Sequence, residues 1–441
     1  MPDSKVTKTR LKNGLTVLLK EVHTAPVISW WVWYRVGSRY ERPGCTGISH
    51  WVEHMMFKGT QRFPGNYSDR VIARDGGVRN AMTWIDWTTY FATMPADKID
   101  FALRLEADRM GRALFPPKEL ASERTVIISE RQGSENSPGF RLMEEVQAAA
   151  FRVHAYHHTV IGDMADLENM TRADLYGYYK SYYAPNNAIA VAVGDFKSRD
   201  MLARIKELFG GYKPRELPEM RPRPEPEQKG ERRVILTGEG ETAYLDANYH
   251  VPGATHPDFY PLVALDSILA GASSFNLFGG GTSNKSSRLY RALVETGLAA
   301  SISGGLSATV DPYLYSLFAT VRSGQTPAVV EQALDVEIER VQNDLVTDAE
   351  LAKALKQARA LFAFSAESVT NQGYWLGATE IYDTYQWFDS YLDRLAGVTT
   401  ADVQRVAQKY LARTNRTVGH FIPTPAPAGA SIETDGFEDE D

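Results

Sequence analysis

A stretch rich in proline and charge, Lys213-Pro214-Arg215-Glu216-Leu217-Pro218 through Arg223-Pro224-Glu225-Pro226-Glu227, lies near the middle of the chain and constrains what it can fold into. Proline fixes φ and lacks a backbone N–H, so such a run continues neither a helix nor a central strand. It reads as a linker between two parts of similar length. At 441 residues the chain is also too long for one ordinary core. Both parts open with apolar strand patterns. The first has Thr16–Lys20 and Ile28–Tyr34; the second has Arg233–Leu236 and Ala243–Tyr249. Helical stretches follow in each. One of them, Ser286–Leu298, has a serine cap and a glycine stop at Gly297. The expected fold class is α+β, built from two diverged copies of one unit. The expected domains are 1–212, a linker over 213–232, 233–422, and an acidic tail over 423–441.

His50-Trp51-Val52-Glu53-His54 carries the chemistry. On a helix, positions i and i+4 share a face, so two imidazoles there can hold one metal ion. Glu53, at i+3, lies on nearly the same face and can reach a water on that metal. This is the outfit of a zinc hydrolase, in which the metal acidifies a water and a carboxylate takes its proton. Ile48, Val52, Met55 and Met56 supply apolar positions at helical spacing, and Gly59 supplies a stop. A catalytic zinc needs a third protein ligand and one open position. Leu120–Arg131 is a helical candidate in which Glu123 and Glu130 stand two turns apart on one face.

H-x-x-E-H followed 76 positions later by Glu130, with Glu123 seven before it, resembles the pitrilysin family of zinc peptidases. The resemblance implies Zn2+ held by His50, His54 and Glu130, with Glu53 as general base. It adds Glu123 to the catalytic group as an accessory carboxylate. Gly76–Thr83 followed by Thr88–Phe91 is similar to the family's N-A-x-T strand, whose open edge pairs with the substrate backbone. Asn80 and Ala81 are thereby the expected substrate-binding residues; the other reading of Asn80 is a turn residue closing a hairpin. Ile161–Asp163, Leu167–Met170, Tyr182–Ala188 and Val193–Phe196 also resemble the family as helix, turn, buried strand and turn. The implied architecture is two homologous halves, each an antiparallel sheet with helices on one side, forming one side of a clamshell. The second half has no H-x-x-E-H, so one metal site per chain is expected.

Active members of the family use an Arg/Tyr pair from a second-half domain. By rough alignment the Arg position falls near Ser316 and the Tyr position near Pro327; Arg322 and Tyr313 lie nearby in the wrong order and spacing. A missing donor of this kind typically costs on the order of 10²–10³ in rate. The resemblance to processing-peptidase-like members implies that a homologous partner subunit supplies the pair in a heterodimer. The expected function is a zinc endopeptidase acting on peptides or unfolded segments. The alternatives are a non-catalytic peptide-binding or scaffold subunit and a maturation peptidase for one precursor.

Other features narrow this reading. Six acids in the tail (Glu433, Asp435, Glu438, Asp439, Glu440, Asp441) account for most of the net charge of −7. The remainder is near neutral, and nothing supplies the basic patch of a nucleic-acid binder. No apolar run reaches the roughly 18 residues of a membrane span. Met1–Lys5 lacks an apolar leader, so a cytoplasmic location is expected, or a periplasmic one if a signal was removed. Cys45 is the sole cysteine; it is either a fourth ligand or, better, a small residue at a helix start. His154, His157 and His158 are a second histidine cluster, read as a loop or as another metal site. The glycine-rich segment 271–285 lacks Walker spacing and reads as a mobile loop near a substrate chamber or a plain surface connection.

Overall fold

The structure is a computed structural model that describes residues 5–220, 223–272 and 284–424. Two sheets organise it. The first contains β1 (Thr7–Arg10), β2 (Thr16–Glu21), β3 (Val27–Tyr34), β4 (Val78–Thr83), β5 (Thr88–Pro95) and β6 (Ala188–Gly194), in the order β1-β2-β6-β3-β5-β4. The second contains β7 (Arg232–Glu239), β8 (Tyr244–Val251), β9 (Ala299–Leu306), β10 (Tyr313–Val321) and β11 (Arg416–Thr424), in the order β7-β11-β8-β10-β9. The expected α+β class and two-half design hold. Each sheet is antiparallel except for one pair, β2 with β6 and β7 with β11, which run parallel. These partners lie far apart in sequence, so helical excursions can bring them together in parallel.

The expectation of helices on one side only is corrected by β3. Strand residues alternate between faces, yet Val27-Ile-Ser-Trp-Trp-Val-Trp-Tyr34 is apolar on both. Trp30, Val32 and Tyr34 enter the core of the first half. Trp31 and Trp33 point the other way and join the core of the second half. A strand buried on both faces reads as a continuous apolar run. A fully buried indole removes roughly 200 Å² from water, worth about 5 kcal/mol before ordering entropy.

Four helices carry the candidate metal-ligating residues or join the halves: α1 (Ile48–Met55), α2 (Pro117–Glu135), α3 (Pro138–Ala150) and α4 (Val369–Tyr382). The halves exchange the last two. Helix α4, from the second half, lies across β3 and β6 of the first sheet. It comes close through Gly373 and Gly377, one turn apart. A Cβ at Gly373 would sit 2.4 Å from Trp31 Nε1, and one at Gly377 2.0 Å from Trp33 Nε1. In return α3, from the first half, packs on β7, β8 and β11. Leu142 and Val146 meet Phe421 there, and a Cβ at Gly419 would lie 2.3 Å from Val146 Cγ2.

The proline-rich segment is strapped down. The Glu225 carboxylate accepts from the N–H groups of Arg152, Val153 and His154 at 2.8, 2.9 and 3.1 Å. Gln228 Nε2 donates to the Arg416 carbonyl at 2.6 Å. Arg232 already belongs to β7, and Pro423 and Thr424 belong to β11. The expected helix over Ser286–Leu298 is shorter and wider, with π-type bonding over Tyr290–Glu295, and Gly297, at φ +80°, lies in the turn that follows. Most of the glycine-rich segment 271–285 and of the acidic tail 423–441 lies at 273–283 and 425–441, outside the described residues. No described helix is long and apolar enough to cross a membrane.

Close approach of α4 to the indoles makes a sharp test. Gly377→Ala should destabilise the protein by about 1–3 kcal/mol through overpacking. Gly177→Ala, in a helix where the added Cβ meets nothing within 4 Å, should be neutral or stabilising by up to about 1 kcal/mol. Denaturant melts of the two variants check this.

Candidate metal centre

Helix α1 starts at Gly47, whose φ of +84° suits glycine and whose added Cβ would strike the Ile161 carbonyl oxygen at 2.4 Å. Glu41 tethers the first turn, accepting from the Gly47 and Ser49 N–H groups at 2.8 Å each. Trp51, Val52 and Met55 are fully buried, which fixes the helix's rotation. His50 and His54 then share the opposite face.

Their Nε2 atoms lie 3.2 Å apart. Two nitrogens bound to one zinc at 2.0–2.1 Å in tetrahedral geometry are about 3.3 Å apart. Glu130, on α2, brings one carboxylate oxygen to 3.8 Å from His50 Nε2 and the other to 3.8 Å from His54 Nε2. One donor atom from each of the three residues falls within 4.8 Å of the others, the sole such group of His, Cys, Asp or Glu among the described residues. Burial, then the neighbouring His54, pushes His50 down to about 3, so its ring is neutral at physiological pH. His50 Nδ1 is buried without a hydrogen-bond partner. The neutral His50 ring and the His54 ring turn their Nε2 atoms toward one point beside the Glu130 carboxylate, and the donor set fits zinc.

Helix α2 is held in place by residues the sequence did not single out. The Arg124 guanidinium lies 4.9 Å from the Trp51 ring and donates to the carbonyls of Leu167, Glu168 and Met170 at 2.6–2.7 Å. Arg131 reaches Glu144 of α3 with two bonds, at 2.5 and 2.7 Å. Buried Leu120, Glu123 and Ile127 form the inward face. Glu123 accepts from His54 Nδ1 at 2.7 Å, and its second oxygen pairs with the Lys58 amine. Both its oxygens are thus engaged by protein groups, in a position to orient the His54 ring. Burial opposes charge on Glu123, but the bonds from His54 and Lys58 prevail and hold it below the usual carboxylate range. Burial opposes charge on His54 as well, and the same bond to Glu123 prevails, raising it.

Glu53 is buried on the same face. Burial pushes its carboxyl up to about 7, against the Thr83 hydroxyl, which donates to Oε2 at 2.5 Å. Thr83 ends β4, the outer strand of its sheet, and β4 packs beside α1. Asn80 is exposed in that strand, and its Oδ1 accepts from the Ala81 N–H at 2.9 Å. The turn falls later, where the Trp84 N–H reaches the Trp87 carbonyl, so Asn80 is an edge-strand residue and not a hairpin closer.

The remaining candidates lie elsewhere. Cys45 is buried in the first core. His154 binds Asp311 at 3.1 Å, His158 binds Glu41 at 2.9 Å, and His157 meets the His154 carbonyl. Three divergent partners suit structural roles. Ser316 donates to the buried Asp246 carboxylate at 2.9 Å, and Pro327 opens a helix. Tyr313 is walled in by Phe151 and Tyr156.

Residues 16–164 match the family model described as Insulinase (Peptidase family M16), and 169–358 that described as Peptidase M16 inactive domain. Zinc protease PqqE of Helicobacter pylori is 32% identical over 425 residues, covering 94% of this chain and 92% of that protein. A probable mitochondrial-processing peptidase subunit beta of Arabidopsis thaliana is 25% identical over 413 residues, 93% of this chain and 76% of that one. The crystal structure of a protease from Helicobacter pylori aligns with a TM-score of 0.89 at 29% identity, over 95% of this chain and 100% of that chain.

A ligand that binds only the folded state raises its stability, by about 2.7 kcal/mol at a hundredfold excess over Kd. Zinc should therefore raise the Tm of the chelator-stripped protein. His50→Phe should abolish the rise, as read by thermal melts at matched free zinc.

Proposed function

The chain belongs to peptidase family M16, the insulinase and pitrilysin family, and from that premise we propose that it is the zinc-bearing, catalytic subunit of an endopeptidase acting on peptides or unfolded segments. The observation that carries the reading is the convergence of His50, His54 and Glu130 with Glu53 beside them. Zinc held by those three residues would supply acidity for a water and polarisation for the scissile carbonyl.

The protein's own groups do the rest. Glu53 takes a proton from the attacking water and delivers it to the leaving amine. Thr83 fixes one Glu53 oxygen, so the other is the one that exchanges the proton. The free edge of β4 receives an extended peptide as an added strand, with Asn80 and Ala81 in contact with it. Main-chain pairing of that kind holds peptides of varied sequence, as the scavenging and processing of unfolded segments both need.

The second half offers no cation at Ser316, which is bonded to a carboxylate instead. A homologous partner subunit would supply the Arg/Tyr pair across a clamshell. The name of the Arabidopsis relative, a processing-peptidase beta subunit, is in keeping with such pairing.

Glu53→Gln should retain zinc yet lower kcat by about 10²–10⁴, the usual contribution of a general base. Metal analysis with a peptide-cleavage assay tests this; undiminished turnover would overturn the mechanism. Peptide cleavage by the single chain should also rise at least about 10²-fold when a homologous Arg/Tyr-bearing subunit is added. Equal rates with and without it would sink the heterodimer.

A further inference from the structure

Helix α2 presents two carboxylates to one imidazole. Glu123 and Glu130 stand two turns apart on one side of α2, and both reach His54, Glu123 at Nδ1 and Glu130 at Nε2. By residue type either could ligate a metal. Their surroundings differ. Glu130 is about half exposed, and neither His Nε2 is closer to it than 3.8 Å. Glu123 is almost wholly buried, with one oxygen on His54 and the other on the Lys58 amine.

Lys58 is placed by the chain with little freedom. Helix α1 ends at Met55 and continues as a tighter turn over Met56–Lys58, so Lys58 follows His54 by one turn on the same side. Gly59 then breaks the turn at φ +94°, where an added Cβ would meet the Phe63 carbonyl oxygen at 2.5 Å. A row results: Lys58, Glu123, His54, and the cluster of donor atoms beyond. Partners behind a ligating histidine fix its ring orientation, and their loss typically costs 10–100-fold in metal affinity.

We propose that Lys58 is a positioning residue that divides the roles of the two carboxylates: by holding the second oxygen of Glu123 it keeps that group behind His54 and leaves the ligand position to Glu130. The inference rests on the reading of this cluster as a zinc site and deepens it. Without the amine, Glu123 is held at one oxygen only. It can then rotate toward the metal position, and the His54 ring loses its fixed orientation. Methionine matches the length of the lysine stem but offers no donor; arginine restores a donor.

Zinc affinity measured by chelator competition on the full chain tests this without reference to turnover. Lys58→Met should weaken zinc binding about 10-fold or more, and Lys58→Arg should recover most of the loss. The double variant with Glu123→Gln should bind no more weakly than Glu123→Gln alone, because Lys58 acts through Glu123. Wild-type affinity in Lys58→Met, or losses that multiply in the double variant, would overturn the inference. Lys58→Leu, likewise without a donor, is read the same way should the methionine variant not fold. These outcomes are separate from failure of the zinc-site reading itself, which would appear as no stoichiometric zinc in the wild-type protein.

Discussion

The contact on which this structure depends is the docking of α4 against Trp31 and Trp33. It takes a helix from the half without a metal motif and lays it on the sheet behind the one that carries it. Helix α3 makes the opposite journey, leaving the first half to cover β7, β8 and β11. Neither sheet can bury both faces with helices from its own half. Separating the halves would expose two indoles on one side and Phe421 with Leu142 and Val146 on the other. The second half is thus structurally necessary to the first, whatever its own chemistry.

This exchange bears directly on the metal centre. Glu130 sits near the end of α2, and only Asn136 and Ser137 separate α2 from α3. Arg131, the next residue after Glu130, is fastened to Glu144 of α3 by a bidentate pair. The third donor is therefore referenced to the second sheet, while the two histidines are referenced to the first core through Trp51, Val52 and Met55. A shift between the halves would change the distance from Glu130 to the histidine pair before it disturbed either histidine. Arg124 opposes such a shift by joining α2 to Trp51 and to the carbonyls of residues 167, 168 and 170.

Much of this was legible in the sequence, because it depends on period and spacing. The step of four from His50 to His54, and of seven from Glu123 to Glu130, specifies faces of helices whatever the rest of the fold does. The opening strands of each half were legible from their β-branched and aromatic runs. What escaped notice depends on contacts across sequence. The exchange of α3 and α4 leaves only a faint local trace, the glycines at 373 and 377 and the doubly apolar β3. Parallel pairing of β2 with β6 has no local signal at all. The division of labour between Glu123 and Glu130 is likewise invisible in spacing, since both lie on the correct face.

Thr83 has a contact that the strand motif does not announce. It stands three residues after Asn80 in the strand motif, and the motif directs attention outward, to the free edge where a peptide would pair. Alternation along β4 sends neighbouring side chains to opposite faces. Asn80, within the strand, is exposed, while Thr83 at its end turns its hydroxyl onto Glu53. One short strand thus reaches both the solvent edge and the buried carboxylate. On the proposed function, a displacement of β4 by a bound peptide would carry the Thr83 hydrogen bond to Glu53 with it.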